Sequence, residues 1–310
     1  MSRNKSLLFL ILLILASCSQ APLVKIERLD FSGSEFNRNH DGVIDSFAPI
    51  LDIMMQIKGY DSRREAYEEY FKSPAVAAFS PDMHLIDSQI EGLEITLGEL
   101  KRNIERQLPE VTFPKRVFGF ITPYNQSVVL ADTVAIIGLN HYLGASYEGY
   151  RGRPDFNPFL KNAERMPVDV AEALVASAYP YNGGDNSTML SRMIYEGALL
   201  YAVKALLPNV SDGWVIGYDL KQMEEARDNE ARVWQMLVER DVLFSTDVSH
   251  AVGSSYGGNA PKRIERYIGL QIVRSYVRNF NSDIELSELL SPEFYCSMQV
   301  LKNSSYSPKK

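Results

Sequence analysis

"SRMIYEGALLYAV" (Ser191–Val203) reads as a helix that is apolar on almost every side. Met189, Leu190, Met193, Ile194, Leu199, Tyr201, Val203 and Leu206 cover its faces. A helix that is hydrophobic all round is buried. The fold is therefore built around this element, and helices must surround it. Its polar residues are Ser191, Arg192, Glu196 and Lys204. Arg192, Glu196, Leu200 and Lys204 recur every fourth residue and form one stripe. Gly197 costs about 1 kcal/mol in a helix interior, so its presence implies that another backbone comes close. Glu196 has two readings. One is an ion pair with Arg192 or a neighbouring helix; the other is a carboxylate lining a cleft.

Working outward, helices are expected near 167–178, 187–207, 219–240, 262–280 and 292–302, punctuated by Gly183-Gly184 and Pro208. Upstream, Ile86, Ile90, Leu93, Leu97, Leu100, Ile104 and Leu108 recur at three- and four-residue steps. That spacing predicts one amphipathic helix, closed by Pro109. "RVFGFIT", "SVVLADT" and "VAIIGL" are short and rich in β-branched and aromatic residues, so they read as a small sheet. "LVKIERLDF" alternates roughly and reads as a further strand, and "HYLGASYEGYRGRPDFNP" reads as a loop. Repeats, low-complexity tracts and internal linkers are absent from the sequence. The expected class is α+β and predominantly α-helical. A small β-sheet in the N-terminal half packs on a C-terminal helical array, in a single domain over 24–310.

The N-terminus carries a different signal. "MSRNKSLLFLILLILASCSQ" has a short basic start and an apolar run from Leu7 to Leu15. That run has the length of a secretory h-region and is too short for a membrane span. Leu15-Ala16-Ser17-Cys18 looks like a bacterial lipobox. Residues 1–17 are then a signal peptide, Cys18 is acylated at its thiol and new amine, and 18–23 is a short tether. Two or three acyl chains anchor stably where one is marginal. The expected location is the cell envelope, with the body outside the cytoplasm and close to the membrane. Cys296 is left without an intramolecular partner and reads as a buried small hydrophobe. The net charge of −7 becomes more negative when Arg3 and Lys5 leave with the leader. An acidic body without a basic cluster argues against nucleic acid as a partner.

Chemistry at Glu196 would need partner side chains at defined spacings. Zinc peptidases of one large class hold the metal with two His four apart on a helix, plus a Glu from the next helix. The four histidines here are His40, His84, His141 and His250, and none lies within four residues of another. The preceding helix, "VDVAEALVASAYP", offers Glu172 but no His. No metal site of that class, no catalytic residue and no cofactor is therefore assigned. No G-x-S-x-G elbow, P-loop or dinucleotide fingerprint occurs. "FNRNHDGVIDSFA" partly matches a calcium loop through Asn37, Asn39, Asp41, Gly42, Ile44 and Asp45. Position 12 is Ala48 where a bidentate Glu is needed. A turn before a helix, with Asp45 or Ser46 near the cap, is expected instead.

"SRMIYEGALLYAVKALLPN", "IGYDLKQMEEARDNEARVWQMLVERDVLFSTD", "RIERYIGLQIVRSYVRN" and "LKNSSYSPKK" together resemble the GldB family, gliding-motility-associated lipoproteins of the Bacteroidetes. The resemblance covers the lipoprotein signal and most of the C-terminal half. Ala198 stands where the family usually has Lys. The resemblance implies a non-enzymatic lipoprotein acting in gliding motility or the linked protein secretion machinery. Its partners would be the membrane, through acylated Cys18, and envelope proteins of that apparatus. It also implies a zincin-like core without its metal site, in which Glu196 stands where the third ligand of a peptidase would be. The absence of an acidic run after Cys18 favours a periplasm-facing anchor. The alternative is a membrane-anchored, peptidase-like hydrolase using Glu196 and Glu172.

Overall fold

The computed structural model describes residues 23–29, 38–122, 125–151, 157–246 and 256–309. Four strands form one mixed sheet: β1 (Ile26–Arg28), β2 (Arg116–Phe120), β3 (Val128–Ala131) and β4 (Val134–Gly138), in the order β1-β2-β4-β3. β1 and β4 both run parallel to β2, with Ile26 opposite Val117 and Phe118 opposite Ile136. β3 returns antiparallel on β4. Asp132 makes the tight turn between them at φ 52°, a conformation that Asp tolerates better than most residues.

The helices before β2 are α1 (His40–Ser46), α2 (Ala48–Lys58), α3 (Arg63–Lys72), α4 (Pro74–Phe79) and α5 (Asp87–Gln107). The expected turn near Asp45 is itself helical. Asn39 caps α1 by accepting from the Gly42 N–H at 3.2 Å. Asn39, a ligand position in the partial calcium-loop match, thus serves as a helix cap. Asp45 and Ser46 close α1, and Phe47, with no side-chain cap bond, joins it to α2. Pro49 in the first turn and Gly59 at φ 74° bound α2. Phe118 and Phe120 on one face of β2 meet Phe47 and Tyr70 at ring separations of 5.5 and 4.3 Å. α5 buries Ile90, Leu93, Leu97, Leu100 and Ile104, the stripe expected from its spacing. It also buries Glu94, whose Oε1 accepts from Ile26 N–H at 2.8 Å. The carboxylate thereby covers the free edge of β1.

The C-terminal array contains α6 (Met166–Ala178), α7 (Met189–Leu206), α8 (Asp212–Ile216), α9 (Leu220–Glu239), α10 (Ile264–Asn279), α11 (Leu286–Leu289), α12 (Pro292–Tyr295) and α13 (Met298–Ser304). α6 packs along β3, and α7 lies between α6 and α10. Thr188 and Ser191 start α7 with reciprocal bonds: Thr188 Oγ1 accepts from Ser191 N–H at 3.1 Å, and Ser191 Oγ from Thr188 N–H at 2.8 Å. Asp219 and Gln222 start α9 in the same way. α7 and α10 cross at two glycines. A Cβ on Gly197 would sit 2.2 Å from the Gly269 carbonyl carbon, and one on Gly269 would sit 1.9 Å from Met193 O. This is the close backbone approach that Gly197 implied. The helix expected over 292–302 is broken, because Ser297 is extended and caps α13 through Gln299 N–H. Cys296, at that break, is half-buried instead of buried.

Candidate functional site

Charged side chains from α6, α7 and α10 meet in the helical array. Arg165 lies just before α6 and is almost fully enclosed, with 7% of its side chain exposed. Its Nε donates to Asp169 Oδ1 at 2.6 Å, its Nη2 to Glu172 Oε2 at 2.8 Å, and its Nη1 to the carbonyls of Trp214 and Val215 at the end of α8. The i, i+4 and i, i+7 spacings put both acids on the face of α6 that Arg165 reaches. Asp169 Oδ2 also accepts from Tyr142 Oη at 2.7 Å and Ser127 Oγ at 3.0 Å, which ties α6 to the sheet end of the molecule.

Arg266, on α10, is 5% exposed at its side chain and lies between the acids of the other two helices. Its Nη2 donates to Glu172 Oε1. Its Nε lies 2.8 Å from Glu196 Oε2, a close charge contact in which the N–H is not directed at the oxygen. Arg263 approaches Glu196 from the rim at 3.8 Å. Glu172 from α6 and Glu196 from α7 therefore converge on one buried guanidinium. Isolated, such charges are expensive to bury; paired and hydrogen-bonded, they are tolerated.

Arg192 does not supply the partner of Glu196. Its guanidinium lies over the Tyr181 ring at 3.9 Å, and its buried Nε has no hydrogen-bond partner among the described residues. Tyr181 is held in place by Ser191 and Ser187 at 2.7 and 2.9 Å. The i, i+4 step brings Arg192 near Glu196, but α10 delivers Arg266 from across the interface, and the Tyr181 face takes Arg192.

The electrostatics fix the charge states. Burial alone raises the Glu172 carboxyl, but Arg266 and Arg165 outweigh it and hold the group below its ordinary range. Burial likewise works against the charge of Arg266, and Glu172 and Glu196 reverse the effect and raise it. Arg263 is lowered by burial and by the charge of Arg266. Burial, with the Asp169 charge second, pushes the Tyr142 phenol well above its usual value. An acid catalyst needs a carboxyl raised towards neutral pH, and a base needs a free lone pair near its proton. Glu172 has been pushed the other way, and its oxygens already accept from two arginines.

His84 Nδ1 is 3.0 Å from Pro81 O, and buried His141 meets Lys161 Nζ at 2.9 Å. Cys18, Asn37 and His250 lie outside the described residues. Among the described residues no group of three His, Cys, Asp or Glu side chains is placed to hold a metal ion.

Arg165, Asp169 and Arg266 were not singled out from the sequence. Arg266 carried a usable signal. It interrupts Ile264, Tyr267, Ile268 and Leu270 just as Glu196 interrupts α7. The segments that carried the resemblance also meet one another. Glu230 of α9 accepts from Tyr306 Oη at 2.8 Å and from Tyr267 Oη at 3.3 Å, and Trp234 packs edge-on to Tyr306 at 5.0 Å. Arg232 donates to Asn229 Oδ1 and to the carbonyls of Tyr256 and Gly257. The order and spacing of those segments thus reflect one set of contacts between α9, α10 and the C-terminal residues.

A family model described as gliding motility protein GldB matches residues 18–308 of the 310-residue chain. No curated protein and no solved structure matches it significantly. With its match running from Cys18 almost to the last residue, this chain belongs to the GldB family of gliding motility proteins.

Proposed function

We propose that this protein is a non-enzymatic, lipid-anchored component of the cell envelope. It is held at the membrane by acylated Cys18, faces the periplasm, and acts in gliding motility or the linked secretion machinery through contacts with other envelope proteins. Family membership supports the gliding-motility role. No described helix is long and apolar enough to cross a membrane, which is consistent with attachment by lipid. The observation that carries the non-enzymatic reading is the pairing of Glu172 and Glu196 with Arg266. Two carboxylates on adjacent helices face a cation from the chain itself. In the peptidase-like scaffold that the resemblance implies, its guanidinium would stand where the metal does, and the single domain over 24–310 serves as a binding body.

Two measurements in cells test this reading. Cys18→Ala should move the protein from the membrane fraction to the soluble periplasm; retention at the membrane contradicts the anchor. Crosslinking of the wild-type lipoprotein should capture envelope proteins of the motility or secretion apparatus. A wild-type protein that acts normally without touching any of them contradicts the proposed mode of action.

A further inference from the structure

On the face of the sheet away from the charged cluster, the packing leaves a cavity of about 300 Å³. Its floor is Phe120, Ile136 and Val129 from three strands, and one wall is Ile50, Ile53 and Met54 from α2. Protein interiors are close-packed with few voids larger than a water molecule, so an apolar hollow of this size is a feature of the fold. It falls at the small end of the usual range for ligand pockets, which are mostly apolar with a few placed polar groups. The exposed residues Ile57 and Lys58, at the end of α2, mark its mouth.

Three properties define the ligand. The lining is too apolar for a sugar or nucleotide, whose hydroxyls and phosphates would be desolvated without partners. The volume equals roughly ten waters at about 30 Å³ each, which suits an alkyl chain of about ten carbons. The polar groups around it select an anion. Lys58 has no ion pair among the described residues, whereas Glu69, the one acid in the lining, is already engaged by Lys72 at 2.7 Å. Tyr70 lines the cavity and is 3% exposed. Its hydroxyl accepts from Ile121 N–H at 3.2 Å and donates to no described residue. Burial raises that phenol, so its proton stays on and is available to a ligand oxygen. In a protein with net charge −7, anion capture needs a local cation, and Lys58 is placed to supply it.

We propose that this cavity binds a medium-chain fatty acid, its alkyl chain between α2 and the sheet and its carboxylate at Lys58. The inference is independent of the role assigned to the Glu172–Arg266–Glu196 cluster.

Calorimetric titration of the chain from Ser19 onward, which keeps every described residue, tests it. The probes are octanoate, decanoate, dodecanoate and tetradecanoate below their micelle thresholds, with decanol as the neutral control. One saturable site is expected. Affinity should rise roughly fourfold per methylene, the factor for burying a CH₂, and level off once about ten to twelve carbons fill the cavity. Lys58→Glu should weaken decanoate about tenfold and leave decanol unchanged. Met54→Trp should abolish both; if it does not fold, Ile57→Trp at the exposed mouth carries the same test. The proposal is overturned if no saturable site is found. It is also overturned if affinity keeps climbing through tetradecanoate, or if decanoate and decanol respond alike to Lys58→Glu.

Discussion

Arg266 is the residue on which the charged cluster turns. It is enclosed, it belongs to α10, and it joins an acid of α6 to an acid of α7. Removing a buried charge strands its partners, so Arg266→Met should destabilise the protein by about 3–5 kcal/mol in chemical unfolding. Glu196→Gln leaves Arg266 paired with Glu172 and should cost about 1–3 kcal/mol. A smaller loss for Arg266→Met than for Glu196→Gln would show that Arg266 is not the centre of the network. Glu172 makes the cluster acid-sensitive. Its folded pKa lies below the ordinary 4.5, so the ionised pair contributes stability that is complete above that value. The contribution disappears as pH falls through the lowered folded value. Melting temperature should therefore drop as pH is taken below about 4.5, and drop less steeply in Glu172→Gln. Equal slopes for the two proteins would contradict the assignment.

At the scale of elements, α7 shows what a sequence exposes and what it conceals. Its burial followed from an apolar residue on every face, and Gly197 pointed to a close crossing. The partner helix and its matching Gly269 did not follow, because a crossing is a relation between segments distant in sequence. The same limit hid the partner of Glu196. A local rule pairs it with Arg192 four residues earlier, whereas Arg266 arrives from the helix across the interface. Glu94 was hidden likewise: it stands among the polar positions of an amphipathic helix, yet it is buried against the edge of β1, 68 residues away. Ser297 is a local capping feature, but it competes with the helical periodicity around it, so the break at 297 did not follow from the sequence. Gly197→Ala tests the crossing. A methyl 2.2 Å from the Gly269 backbone cannot be absorbed by a side-chain rotation. Overpacking of this kind costs typically 1–3 kcal/mol and more against backbone, so we expect a loss of at least about 3 kcal/mol or failure to fold. Ala at Gly92, which faces open space on α5, should be tolerated under the same conditions and serves as the control.

Over the whole molecule, a small sheet, the helices packed with it and a set of signature segments around Tyr306 make a body of the GldB family. The class of fold was legible because burial patterns of helices and strands are local. The cluster of Arg165, Asp169, Glu172, Glu196 and Arg266 was legible only in its two glutamates, since its cations are set by packing. That cluster supports the proposed binding body over a peptidase-like enzyme, because carboxylates already committed to arginines have little capacity left for a metal. Zinc content of the chain, purified without chelator and measured by plasma mass spectrometry, tests this directly. The account predicts zinc far below one ion per chain, unchanged in Glu196→Ala. One zinc per chain in the wild type, lost in Glu196→Ala, would contradict it.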